Sequence, residues 1–177
     1  MRQLLLMRHA KSSWDDAKLS DHARPLNTRG RMAAIAMRRA MRDLGLAPDV
    51  VLVSSARRTL QTLEALEPWN RAPTVAPMDS LYLAPLDQML DALNGVAENV
   101  HSVLLLGHNP GMHELALTLL GDQVDDFGNA DVRRLAEGYP TGALAEFAIP
   151  GAWADLATGG GQLTRFLSPR DLPELSV

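Results

Sequence analysis

Three short apolar runs punctuate the chain: residues 4–7 (Leu-Leu-Leu-Met), 50–53 (Val-Val-Leu-Val) and 103–106 (Val-Leu-Leu-Leu). Runs of this length that stop abruptly at polar or turn-forming residues read as buried strands. The first ends in Arg8-His9, the second in Ser54-Ser55-Ala56-Arg57-Arg58, and the third in Gly107-His108-Asn109-Pro110. Ligands of an open α/β sheet bind beyond the carboxyl ends of its strands. Three strands that each release Arg or His at that end therefore predict one basic pocket, and its natural guest is an anion.

Between these runs the periodicity turns helical. Ala33, Ala36, Met37, Ala40, Met41 and Leu44 recur at helix spacing, with Thr28 as the predicted N-cap, Gly45 closing the helix and Pro48 forbidding its continuation. A helix capped by Ser54 or Ser55 is predicted to run to about Glu67, where Pro68 stops it, with Arg57 and Arg58 in its first turn. Cations there oppose the helix dipole by about 0.3–1 kcal/mol, a penalty that a bound anion reverses. Residues 73–77 predict a short edge strand, because of their two prolines, and residues 85–93 a short helix ended by Asn94-Gly95. Asn109 and Pro110 suit the N-cap and N1 positions of a helix whose buried stripe is Met112, Leu115, Ala116, Leu119 and Leu120. Residues 143–149 and 162–167 predict an antiparallel hairpin at one end of the sheet, with Trp153 between its strands. Residues 11–25 form a long polar loop expected to fold over the pocket mouth, and residues 122–142 are acidic, contain Gly and Pro, and are left as a loop with a short helix.

A length of 177 residues with 46% apolar and 21% charged residues predicts one globular domain over 1–177. The chain has no cysteine, so disulfides and thiolate metal sites are excluded. No apolar run approaches a membrane span, and the start lacks the features of a signal peptide, so the expected location is the cytoplasm without membrane association. The net charge of −4 divides into +7 over residues 1–60 and −11 over residues 61–177. Arg38, Arg39 and Arg42 are read as a solvated helix face. Without aromatics among the basic residues, and with a pI of about 5.7, a nucleic-acid surface is not expected.

Two histidines and two arginines at converging strand ends suit phosphoryl transfer. Neutral imidazole is a nucleophile toward phosphorus, since its ordinary pKa of about 6.5 leaves much of it deprotonated at neutral pH. His9 is the candidate phosphoacceptor. Arg8 and Arg58 can grip phosphoryl oxygens as planar forks, and His108 can donate to another oxygen. Guanidinium and imidazolium supply the positive charge, so no metal or other cofactor is called for.

The segments that carry this chemistry resemble a known family. Met7-Arg8-His9-Ala10 is similar to the Arg-His-Gly signature of the histidine phosphatase superfamily, with Ala10 where Gly is usual. Ser55-Ala56-Arg57-Arg58-Thr59-Leu60-Gln61-Thr62 resembles its second motif and selects Arg58 over Arg57; Gly107-His108-Asn109-Pro110 resembles its third, and Arg24-Pro25-Leu26-Asn27-Thr28-Arg29-Gly30 the intervening segment. Ser20 to Leu26 resembles the SixA type, the phosphohistidine phosphatases. The resemblance implies a phosphoglycerate mutase-like, three-layer α/β/α sandwich with a mixed, mostly parallel sheet. It further implies His9 as phosphoacceptor and Arg8, Arg58 and His108 as the phosphate pocket.

Only about twenty-five residues separate the strand near 74–76 from that at 102–106, room for one helix and no large cap, so the mouth could admit a phosphorylated side chain of another protein. The expected substrate is phosphohistidine on a protein or a small phosphorylated molecule, and the product inorganic phosphate. Ester-cleaving members of the superfamily carry an acidic residue after the third strand, where Asp79 is the one carboxylate in residues 78–83. A general acid contributes roughly 10²–10⁴-fold. A small-molecule phosphatase or mutase with Asp79 as acid is thus one alternative, and a non-catalytic phosphate-binding module another. Arg24 is read as either a phosphate ligand or a partner of Asp21, Trp14 as a loop anchor, Lys11 as anion-attracting or solvated, and His22, His101 and His113 as surface or structural residues.

Overall fold

The computed structural model describes residues 1–173, so the last four residues of the expected 1–177 domain lie outside it. The three apolar runs are the strands β1 (Arg2–Arg8), β2 (Val50–Ser54) and β4 (Ser102–Gly107), and residues Thr74–Met78 form β3. With β5 (Leu144–Ile149) and β6 (Gln162–Leu167) they make one sheet in the order β3-β2-β4-β1-β5-β6. The pairs β2–β3, β2–β4 and β1–β4 are parallel, whereas β1–β5 and β5–β6 are antiparallel. The hairpin thus closes one edge, and the proline-bearing β3 forms the other, as its missing N–H requires.

Continuous apolar runs persist along the central strands because both sheet faces are covered. Leu4, Leu6, Val103 and Leu105 point to one side, where they meet Met89 and Leu93 of α3 (Leu86–Asn94) and Met112, Leu115 and Leu119 of α4 (Gly111–Leu120). Val132 and Leu135 of α5 (Ala130–Glu137) complete that side. Leu5, Met7, Leu104 and Leu106 point to the other, against Met37 and Met41 of α1 (Thr28–Asp43) and Leu63 of α2 (Arg57–Ala65). The chain is therefore a three-layer α/β/α sandwich with a mixed sheet. Each fully buried Leu or Met contributes about 1.5–3 kcal/mol, so the double-sided central strands form a stiff floor.

Several helix ends fall one or two residues from the sequence expectation. Asn27 rather than Thr28 caps α1, its Oδ1 accepting from the Gly30 N–H at 2.8 Å. Neither Ser54 nor Ser55 caps α2; Ala56 holds that position without a side-chain bond, because the Ser54 hydroxyl is buried against His108. Helix α4 starts at Gly111, although Asn109 Oδ1 still accepts from the His113 N–H at 3.2 Å. The unplaced 122–142 stretch contains α5, capped by Asn129 on the N–H groups of Asp131 and Val132. An eight-residue helix with two buried apolar side chains is too short a repeat for periodicity to expose.

Candidate active site

Three strand ends converge, as the apolar runs implied. Arg8 is the last residue of β1, Ser54 of β2 and Gly107 of β4. His9 and His108 follow directly, their rings 5.2 Å apart and tilted by 56°. Both are buried, as are Arg24 and Arg58, while Arg8 is half-buried.

Local hydrogen bonds settle which imidazole nitrogen is free. His9 Nδ1 lies 2.6 Å from the Ala10 carbonyl oxygen, which can only accept, so Nδ1 carries the hydrogen and Nε2 holds the lone pair of the neutral ring. Burial is the main force pushing the His9 pKa down to about 4, with the guanidiniums of Arg58, Arg8 and Arg24 adding to it against the Ala10 bond. Fewer than about one ring in a hundred is then protonated at neutral pH. Burial likewise takes His108 to about 3, helped by charge at His9, Arg58 and Arg8 and opposed by Asp21.

His108 Nε2 meets the Ser54 hydroxyl at 2.8 Å. That hydroxyl oxygen also accepts from the Ala56 N–H at 3.3 Å, and when its proton goes to Nε2 the His108 hydrogen lies on Nδ1. Among the described residues Nδ1 is buried without a protein partner. A buried ring nitrogen without a partner, beside His9 and several guanidiniums, is suited, when it carries the hydrogen, to an oxygen of a bound phosphoryl group.

The second sequence motif stitches the site together. Thr62 Oγ1 accepts from the Ala10 N–H at 3.0 Å and donates to the Arg58 carbonyl at 2.7 Å; Gln61 Oε1 accepts from the Leu26 N–H at 2.8 Å. Two glycines permit the close approaches. A Cβ on Gly30 would lie 2.1 Å from the Lys11 carbonyl oxygen, and one on Gly111 2.2 Å from that of Ala84. The loop after β1 therefore packs directly on the start of α1, and the first turn of α4 on the segment carrying Tyr82.

The 139–142 segment supports Arg8. The Tyr139 carbonyl accepts from Arg8 Nη1 at 2.9 Å and from Asn109 Nδ2 at 3.0 Å, and its buried hydroxyl donates to the Leu6 carbonyl. The Gly142 N–H reaches the carbonyls of Arg8 and His9 at 3.1 and 3.0 Å.

Arg24 does pair with Asp21, at 2.8 Å, and it also donates to the Ser13 carbonyl and Ser12 Oγ. Trp14 anchors it from outside, with the Arg24 guanidinium carbon 3.2 Å from the ring centroid. The sequence offers Asp21 only as a partner of Arg24, gives His22 as surface or structural, and does not single out Tyr82. Asp21 bonds both Arg24 and Arg58; Tyr82 bonds Asp21 and sets its ring edge-on to His108 at 5.5 Å; His22 meets Ser55 Oγ at 3.0 Å and packs edge-on to Tyr82 at 4.9 Å. His22 is thus an exposed residue, as expected, that borders the site through Ser55 and Tyr82. The Ser20–Leu26 spacing placed Asp21 near Arg24, but no periodicity signals Tyr82. Asp79 is exposed at the head of a 3-10 turn, its carbonyl accepting from the Tyr82 N–H. His113 bonds the Leu135 carbonyl, and Lys11 is exposed. Among the described residues no three His, Asp or Glu side chains form a metal-binding group, and no helix is long and apolar enough to cross a membrane.

The sequence and the fold are similar to those of known proteins. The family profile "Histidine phosphatase superfamily (branch 1)" matches residues 4–81. The uncharacterized protein Rv1276c of Mycobacterium tuberculosis is 36% identical over 168 residues, 93% of this chain and all of that one. The SixA protein of Nakamurella multipartitia superposes with a TM-score of 0.82 at 32% identity, covering 95% of this chain and 96% of that one. A protein histidine phosphatase SixA solved with tungstate gives 0.74 at 25% identity, over 96% of this chain and 98% of that one. By sequence and by fold, this chain belongs to the histidine phosphatase superfamily.

Proposed function

We propose that this chain is a phosphohistidine phosphatase that works by double displacement through His9. The observation that carries the reading is the His9 ring: Nδ1 is committed to the Ala10 carbonyl, so Nε2 keeps its lone pair beside Arg8, Arg24, Arg58 and His108. In the first step Nε2 attacks phosphorus, a P–N bond to His9 forms, and the P–N bond to the substrate imidazole breaks. The guanidiniums and the His108 Nδ1–H hold the equatorial oxygens as their charge redistributes. In the second step water attacks the phosphoryl group on His9, giving inorganic phosphate and the free ring.

The substrate class follows from the leaving group and the mouth. Imidazole departs without the strong acid assistance that an alkoxide needs, and Asp79 makes no bond into the His9–His108 cluster among the described residues. Between β3 and β4 the chain inserts only a 3-10 turn and α3. Without a large cap, a phosphorylated side chain of a partner protein can reach His9. That a similar protein histidine phosphatase SixA was solved as a complex with tungstate supports an oxyanion as the guest.

His9→Ala is expected to abolish both turnover of a phosphohistidine protein and trapping of a labelled phospho-enzyme; full activity in that variant overturns the reading. Comparing phosphohistidine, p-nitrophenyl phosphate and a sugar phosphate at matched concentration tests the class. Efficient sugar-phosphate cleavage that disappears in Asp79→Asn establishes ester hydrolysis instead.

A further inference from the structure

Asp21 bonds three side chains of the site through its carboxylate, and the two-step reaction does not use it. It lies in the 3-10 turn Asp21–Ala23, on the loop between β1 and α1. Its Oδ1 accepts from Arg24 Nη1 at 2.8 Å, and its Oδ2 from Arg58 Nη2 at 3.1 Å and from the Tyr82 hydroxyl. Its backbone carbonyl accepts from Arg58 Nη1 at 2.8 Å. Both terminal nitrogens of Arg58 are thus held by one residue. We propose that Asp21 is a positioning residue that fixes Arg24 and Arg58 for anion binding, and that the Tyr82 hydroxyl fixes Asp21; this rests on the phosphatase reading above.

Two effects of opposite sign compete in this arrangement. A carboxylate paired with two guanidiniums weakens their pull on an incoming anion. The same carboxylate satisfies guanidiniums that could not otherwise stay where they are. Burial decides which wins. The Arg24 and Arg58 side chains are only 8% and 4% exposed, against 41% for Asp21. Buried guanidiniums deprived of an acceptor turn toward any oxygen or toward water, and two unscreened cations on one loop and one helix repel. The long-range field of one lost negative charge is partly screened, whereas loss of the directed geometry is not.

Independent contacts brace the clamp. Arg24 is held on its other nitrogens by the Ser13 carbonyl and Ser12 Oγ, with Trp14 against its face. The Tyr82 ring is fixed edge-on between His22 and His108, with centroid separations of 4.9 and 5.5 Å, so its hydroxyl has one direction to point. The hydroxyl bond and the two arginines hold the Asp21 carboxyl down at about 2, fully ionised at neutral pH.

The test is titration calorimetry with inorganic phosphate and with tungstate on wild type, Asp21→Asn, Asp21→Glu and Tyr82→Phe, alongside kcat and KM on a phosphohistidine protein. Asp21→Asn removes a negative charge from an anion site, yet it is expected to weaken both anions by about ten- to a hundredfold, the worth of one or two charge-assisted bonds. Asp21→Glu is expected to recover part of that loss. Tyr82→Phe keeps the ring against His108, retains the fold, and is expected to weaken binding severalfold in the same direction. Tighter or unchanged anion binding in Asp21→Asn overturns the proposal, since the carboxylate would then only screen the cations. Should Asp21→Asn fail to melt cooperatively, unchanged or tighter binding in Tyr82→Phe overturns it equally. Binding needs no turnover, so failure of the phosphatase reading, seen as an active His9→Ala, is distinguishable from failure of this one.

Discussion

Two buried neutral imidazoles make the stability of this protein depend on pH in a window where few other groups titrate. Replacing His9 by Gln removes one of them while keeping a polar side chain of similar length. In the folded chain His9 and His108 titrate at about 4 and about 3, against about 6.5 for a free imidazole. The unfolded chain therefore binds more protons as the pH falls below about 6.5, and stability drops with it. Above that value both rings are neutral in either state, and the contribution is complete. At about pH 4.5 each histidine has withdrawn roughly 2.5 kcal/mol, on 1.36 kcal/mol per pK unit, so wild type loses about 5 kcal/mol relative to pH 7. That is a large part of the 5–15 kcal/mol typical of a domain. Asp21, held at about 2, loses its contribution only in more acid solution, so it does not blur the window. Urea unfolding in phosphate-free buffer of fixed ionic strength measures the difference. His9→Gln is expected to lose about half as much stability as wild type between pH 7 and 4.5. Parallel pH curves for the two proteins, or a flat curve for wild type, would show that the rings are not held neutral and refute the electrostatic picture of the site.

Three further substitutions probe the supports. Ser54→Ala strips His108 Nε2 of its buried partner; it is expected to destabilise by about 1–3 kcal/mol in a thermal melt and to lower kcat more than it raises KM, because His108 loses its orientation. Gly30→Ala puts a methyl 2.1 Å from the Lys11 carbonyl; it is expected to destabilise by about 1–3 kcal/mol by calorimetry, as overpacking against backbone does. Tyr139→Phe deletes the hydroxyl that donates to the Leu6 carbonyl and accepts from the Ala145 N–H; a loss of about 1–3 kcal/mol in urea unfolding is expected, with Arg8 keeping its bond to the Tyr139 backbone and KM staying close to wild type.

The features legible in the sequence were those that local chemistry imposes on every copy of a pattern. Apolar runs such as residues 4–7 and 103–106 can be satisfied only by strands covered on both faces, and the abrupt change to Arg8-His9 and Gly107-His108 marks where that cover ends. Strand count, the edge position of the proline-bearing β3 and the convergence of Arg8, His9, Arg58 and His108 follow from those two facts with the parallel order of the sheet. Helix boundaries were less legible. The choice of Asn27 over Thr28 is a one-residue shift of a local cap on the Gly30 N–H, whereas the diversion of Ser54 toward His108 turns on a contact 54 residues away.

What tertiary structure alone decided is how the convergent groups are held. Asp21 and Tyr82 are 61 residues apart, yet they share one hydrogen bond. The Tyr139 carbonyl that steadies Arg8 lies in a stretch whose composition suggested a loop with a short helix and no contact to the site. Neither contact has a period or a spacing, because each is made by residues whose own segments fold for unrelated reasons. The His9 tautomer is decided in the same way: the Ala10 carbonyl assigns its hydrogen to Nδ1, and burial removes the charge from both rings. Residue identity supplied an imidazole; the packed surroundings determine which nitrogen is free and that it is neutral.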